Sequence, residues 1–188
     1  MNLDISDSPI KQQQTVFDDF WVRFNRQITD GNGQVDFPTQ AEMKPAHIST
    51  IVRLPAELAE KYSHLLKEIK AAYPGHYYYP ASDMHFTLLN LDKLMTVNNC
   101  KMDAGLVTRN IKQALANVPP LEIKVNGLGL FPTTVFAKLY DTSGVLEEYR
   151  SAIKDAIVKT LRVAETDTKA LVEGIAFVNL VRFRHIPE

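Results

Sequence analysis

One order of patterns occurs twice in this chain, and it constrains the fold more than any single motif. Between residues 47 and 91, a β-branched run, His47-Ile48-Ser49-Thr50-Ile51-Val52-Arg53-Leu54, stops at Pro55. An amphipathic stripe follows, Leu58, Tyr62, Leu65, Leu66 and Ile69, and then strand-like runs at 76–80 and 84–91. Between 134 and 183 the order returns: a strand pattern at 134–139, a helical stripe of Val145, Leu146, Tyr149, Ile153, Ile157 and Leu161, and a final strand at 175–183. A helix over about 102–117 and strand patterns at 121–125 and 127–130 lie between the halves. The repetition predicts an α+β fold of two lobes related by a pseudo-twofold. Two antiparallel sheets with flanking helices would surround a central cleft lined by the last strand of each half.

Composition limits what such a cleft can attract. The 188 residues are 45% hydrophobic and 23% charged, enough for one well-buried domain and unlike a disordered or disulfide-scaffold chain. A net charge of −1 supplies no basic field for duplex DNA or an anionic membrane, so any phosphate contact must be local. Cys100 is the single cysteine, which excludes an internal disulfide or a cysteine metal cluster and favours a reducing compartment. No signal-peptide pattern opens the chain and no apolar run reaches about 18 residues, so a cytoplasmic monomer is expected. The first fifteen residues are polar and Gln-rich and read as a frayed arm. From Thr15, the residues Phe17, Phe20, Trp21, Phe24 and Ile28 recur at helical spacing up to a turn at 29–33, as in an amphipathic helix packed on the main core. Residues 1–45 are thus arm and helix, and 46–188 a single bilobal domain.

The chemistry concentrates on the last strand of the first half. In His85-Phe86-Thr87 an imidazole and a hydroxyl lie two residues apart on one strand face, about 6–7 Å along the backbone. A neutral imidazole can take a proton from water or a sugar hydroxyl while the threonine donates to a phosphate oxygen, which is what metal-free phosphodiester chemistry needs. Motifs for nucleotide loops, zincins and Cys-His zinc sites are absent, and no metal or cofactor is expected.

The segment His76-Tyr-Tyr-Tyr-Pro-Ala-Ser-Asp-Met-His85-Phe-Thr-Leu, preceded by a strand and a helix, with Gly127-Leu-Gly-Leu-Phe-Pro followed by strand, helix and strand, resembles the two-histidine phosphoesterase superfamily, the 2′-5′ RNA ligase-like proteins. The resemblance covers about residues 48–183. It implies a bilobal fold with one H-x-T/S motif per lobe, acting without a metal on 2′,3′-cyclic phosphates or 2′-5′ linkages in nucleotides and RNA ends. One histidine would act as base and the other as acid. His85 and Thr87 match the first motif and are the catalytic candidates. At the second motif Phe177 stands in the histidine's place and Asn179 in that of the Thr or Ser, each 92 residues after its counterpart. Phenylalanine moves no proton, so weak or altered catalysis is implied, as in a degenerate cyclic phosphodiesterase or 2′-5′ RNA ligase-like enzyme.

Asn179 retains hydrogen-bonding capacity. His47 and Ser49 form a further H-x-S at the first strand and offer a substitute for the missing histidine, while Arg182 and Tyr79 complete the substrate-binding candidates. On a regular strand Arg182 and Arg184 would share the face opposite Phe177 and Asn179. His185 lies too far from position 177 to replace it, His64 falls on a solvated helix face, and His76 reads as a strand-end residue. The alternatives to an enzyme are a non-catalytic nucleotide- or phosphate-binding module of the same fold, or a partner-binding scaffold.

Overall fold

In the computed structural model, which describes residues 9–35, 48–91, 103–161, 168–169 and 174–185, the β-branched run forms strand β1 (Ile48–Arg53). Pro55 has an extended backbone and no N–H for a ladder, so the strand ends there and helix α2 (Ala56–Ala72) begins. A two-residue strand β2 (Tyr77–Tyr78), a short 3-10 turn (Ala81–Asp83) and strand β3 (His85–Leu91) follow. Helix α3 (Ala104–Leu115) is capped by Asp103, whose carboxylate accepts from the Leu106 N–H at 3.0 Å. The second half comprises β4 (Ile123–Phe131), β5 (Thr134–Asp141), α4 (Leu146–Leu161), β6 (Thr168–Lys169) and β7 (Ala176–Arg182).

These strands form two antiparallel sheets, ordered β1-β3-β6 and β2-β7-β5-β4. Each half lends its short strand to the other: β2 pairs with β7, and β6 with β3. The registers repeat as well as the order. Asn90 pairs with Lys169, and Arg182, 92 residues after Asn90, pairs with Tyr77, 92 residues before Lys169. The stretch between α4 and the last strand therefore contains a strand, β6, too short to show a period-2 pattern.

One apolar core serves both sheets. Ala59 and Leu66 of α2, Val107 of α3, and Leu146, Ile153 and Ile157 of α4 pack with Phe86, Leu88 and Leu89 of β3, Ala137 and Leu139 of β5, and Ala176, Val178, Leu180 and Val181 of β7. Strands β3 and β7 touch where the sheets meet. The opposite face of the second sheet carries a separate cluster. There α1 (Pro9–Gln27) lays Phe17 and Phe20 against Phe131, Phe136, Tyr140 and Phe177.

Helix α1 starts at Pro9, so part of the segment expected to fray is ordered helix. The reason is Gln13, whose buried amide donates to the Asp141 carbonyl at 3.1 Å and accepts from the Asp141 N–H at 2.9 Å, an antiparallel-strand pairing made by a side chain. Tyr140 also donates its hydroxyl to Gln14. Among the described residues, no helix is long and apolar enough to cross a membrane.

Candidate functional site

Strand β3 pairs with β1 by setting His85 opposite Arg53, Thr87 opposite Ile51 and Asn90 opposite Ser49, with Leu88 as an extra residue that has no partner. This one-residue bulge changes the phase of the strand. Leu88 and Leu89 are both buried, and Asn90 joins the face of His85 and Thr87, where a regular strand would put Leu89. The face away from the core therefore carries His85, Thr87 and Asn90 alongside Ser49, Ile51 and Arg53.

Strand β7 is bulged at the corresponding place. Phe177 lies opposite Lys138, Asn179 opposite Phe136 and Arg182 opposite Thr134, with Leu180 unpaired. Leu180 follows Leu88 by 92 residues, the separation between His85 and Phe177, Thr87 and Asn179, and Asn90 and Arg182. The two rows are thus equivalent position by position. The expectation for Arg182 is corrected by this bulge: it shares the face of Phe177 and Asn179, because the strand is not regular.

The side chains along the two rows are half-buried and polar, with Phe177 the exception. His85 Nδ1 donates to the Asp83 carbonyl at 2.6 Å, which places the proton of the neutral ring on Nδ1 and leaves Nε2 as the basic nitrogen. Ser49 donates its hydroxyl to the Asn90 side-chain carbonyl at 2.6 Å, so the N–H₂ end of that amide stays available as a donor. Arg53 binds the Ser82 carbonyl, bracing the turn that leads into His85. On the second row, Arg182 Nε donates to the Tyr79 hydroxyl and the guanidinium lies 5.7 Å from the centre of that ring. Tyr77 meets Tyr79 edge-on at 5.0 Å and carries Arg184 over its own face at 5.5 Å. The structure thus brings Ser49 to the row of His85 and Thr87, and Tyr79 to Arg182. His47 lies outside the described residues, as do Cys100 and the first eight residues.

Phe177 belongs to the aromatic cluster under α1. Its ring lies 5.0 Å from Phe131 and 5.1 Å from Phe136, and Phe131 in turn contacts Phe20 at 5.3 Å and Phe24 at 5.9 Å. Gly129 makes this arrangement possible, since a Cβ there would lie 2.3 Å from the Phe136 ring. An apolar residue at 177 extends the seat of the helix, whereas an imidazole would be set against rings.

The remaining histidines lie elsewhere. His64 is exposed on α2. His76 and His185 stack at 4.0 Å beyond the end of β7, and the Arg184 N–H donates to His76 Nδ1 at 3.3 Å. Burial, and then the charge of His185, lower the His76 pKa below its ordinary value of 6.5. A groove of about 660 Å³ opens between α3 and α4, lined by Asn110, Ala114, Ala152 and Ala156, on the helical side and not over the polar rows. Among the described residues no three metal-ligating side chains converge.

Sequence reasoning missed Asn90, Arg53, Tyr77 and Arg150. Only Arg150 left a signal: it interrupts the apolar stripe Leu146, Ile153 and Ile157 at helical spacing, and it is 4% exposed.

No family model matches this sequence, and no curated protein does. The structure is similar to the crystal structure of TT0787 of Thermus thermophilus, with a TM-score of 0.58 and 15% identity over 76% of this chain and 77% of that one. At that identity the likeness is one of fold.

Proposed function

We propose that the protein is a two-histidine-phosphoesterase-like protein that binds a nucleotide or RNA end bearing a 2′,3′-cyclic phosphate or a 2′-5′ link between the β3 and β7 rows, with slow turnover. The observation that carries this reading is the equivalence of the two bulged strands, which gives each polar row a partner 92 residues away. Donors suited to phosphate oxygens, the Thr87 hydroxyl and Asn90 amide on β3 and the Asn179 amide and Arg182 guanidinium on β7, lie on equivalent faces of the two strands, with the basic Nε2 of His85 on the first.

In hydrolysis, His85 Nε2 takes a proton from a water as its oxygen attacks phosphorus. The P–O bond to one ribose oxygen breaks, and that oxygen takes a proton from solvent, since Phe177 offers none. Loss of one proton-transfer group lowers the rate by about 10²- to 10⁴-fold, so turnover is slow and binding dominates. Phe177 therefore also favours the second reading, a non-catalytic nucleotide-binding module.

Titration with 2′,3′-cyclic AMP, with and without EDTA, and a hydrolysis assay on the same compound test the proposal. Chelator-insensitive binding that weakens in His85→Ala and Asn179→Ala is expected. Turnover that survives His85→Ala unchanged would place the chemistry elsewhere, and binding lost with EDTA would refute the metal-free site.

A further inference from the structure

The carbonyls of the two unpaired leucines accept from different kinds of donor. The Leu180 carbonyl on β7 accepts the Tyr79 N–H at 3.0 Å, an ordinary backbone bond. The Leu88 carbonyl on β3 accepts Arg150 Nε at 3.0 Å, from the core side of the sheet. The same guanidinium donates through Nη2 to the Ile175 carbonyl at 2.7 Å, immediately before β7. Its Nη1 pairs with Glu147, whose carboxylate also accepts the Gly174 N–H at 3.0 Å. One buried side chain on α4 therefore holds the bulge of β3 and the entrance of β7 at once.

A buried arginine is costly to desolvate, and this one sits where an apolar residue would extend the stripe of α4. What the arginine offers instead is geometry. A planar guanidinium with donors in fixed directions spans two carbonyls, one on β3 and one at the entrance of β7, and a claimed carbonyl at Leu88 favours the bulged register over a regular one. Loss of the bulge, with Leu88 paired to Thr50, would set Leu89 opposite Ser49 and turn Asn90 to the core side.

We propose that Arg150, oriented by Glu147, is a positioning residue: it pins the β3 bulge at Leu88 and ties it to the start of β7, so that the row His85, Thr87 and Asn90 stays in register with the row Phe177, Asn179 and Arg182. The consequence for ligand binding rests on the function proposed above; the consequence for strand register does not.

The test compares the whole chain with Arg150→Lys, Arg150→Met and Glu147→Gln, each at a temperature where it is folded. Cross-strand NOEs between Ser49 and Asn90 and between Ile51 and Thr87 report the bulge, and 2′,3′-cyclic AMP titrations report the site. Arg150→Met should lose or duplicate the Ser49–Asn90 NOE and weaken binding by about tenfold or more, while the NOEs between α1 and Asp141 stay in place. Arg150→Lys should restore folding without restoring the single register, because one ammonium lacks the planar fork. Wild-type NOEs in a folded Arg150→Met, or in Arg150→Lys and Glu147→Gln if the methionine variant does not fold, overturn the proposal. If the parent chain binds no cyclic nucleotide, the functional reading fails, and the NOEs still decide the role of Arg150.

Discussion

Replacing Phe177 by histidine puts an imidazole where the proposed function calls for a second proton-transfer group, and the structure gives the cost. The phenyl ring makes two aromatic contacts, with Phe131 at 5.0 Å and Phe136 at 5.1 Å, and such pairs contribute about 0.5–1.5 kcal/mol each beyond simple burial. Weakening both, and setting a polar ring against Phe131 and Phe136, should destabilise the fold by about 1–3 kcal/mol. For a chain of this length that is a fall in Tm of about 2–12 °C. The apolar surroundings also disfavour the imidazolium, so the new group is a poor acid at neutral pH. The gain in cyclic phosphate hydrolysis should therefore stay near or below about 10²-fold, the lower end of what a well-placed general acid supplies. Thermal unfolding followed by circular dichroism and a hydrolysis assay on 2′,3′-cyclic AMP give the two numbers. A variant as stable as the parent would refute the packing argument. A folded, ligand-binding variant with no change in rate would refute the pairing of position 177 with His85.

Gly129→Ala drives a Cβ to 2.3 Å from a Phe136 ring that has no exposed surface and nowhere to move; a loss of about 2–3 kcal/mol in urea unfolding is expected, and near-neutrality would show that the ring does not lie over the glycine. Gln13→Ala strands a buried carbonyl and a buried N–H of Asp141, at about 1–3 kcal/mol, and should speed hydrogen exchange along α1 before the rest of the chain; uniform exchange would refute a side-chain clasp. The pH dependence follows from His76, whose folded pKa lies below its ordinary 6.5, so the unfolded chain binds the extra proton. Stability is full above that ordinary value and falls as pH drops through it towards the folded pKa; the decline should shrink in His185→Gln, and an unchanged Tm–pH profile in that variant would remove His185 as a contributing charge.

The fold is legible where periodicity is long and opaque where a single residue breaks it. The stripes of α2 and α4 and the strands around His85 and Phe177 follow from apolar spacing, and the repeated order indicates two related halves. Two facts carry no signal. The strand at 77–78 falls within the expected run at 76–80, but 168–169 is too short to show alternation and neither segment shows which sheet it joins, so the exchange of edge strands between halves is invisible in the sequence. The bulges at Leu88 and Leu180 leave no mark in composition, because leucine suits the regular strand equally well. Each bulge reverses the face of everything after it, which is why strand alternation puts Arg182 on the wrong side and does not single out Asn90. Gln13 misleads for a different reason: a glutamine in a polar segment reads as solvated, but its amide has the donor and acceptor of a peptide group and can be buried against a strand edge.

Packing couples Phe177 to the N-terminal helix. Phe131 is the ring between them: it meets Phe177 edge-on at 5.0 Å on one side, and Phe20 and Phe24 of α1 at 5.3 and 5.9 Å on the other. Asn179 and Arg182 lie farther along the strand and keep their polar character, whereas position 177 borders the seat of α1 and is drawn into it. If the seat sets the residue, Phe177→His and Phe131→Leu cannot be independent. A double-mutant cycle should return a coupling of about 0.5–1.5 kcal/mol, the share of one edge-on aromatic pair, so that histidine at 177 costs less once Phe131 has lost its ring. Additive losses would mean that residue 177 answers to the strand alone and that α1 does not influence it.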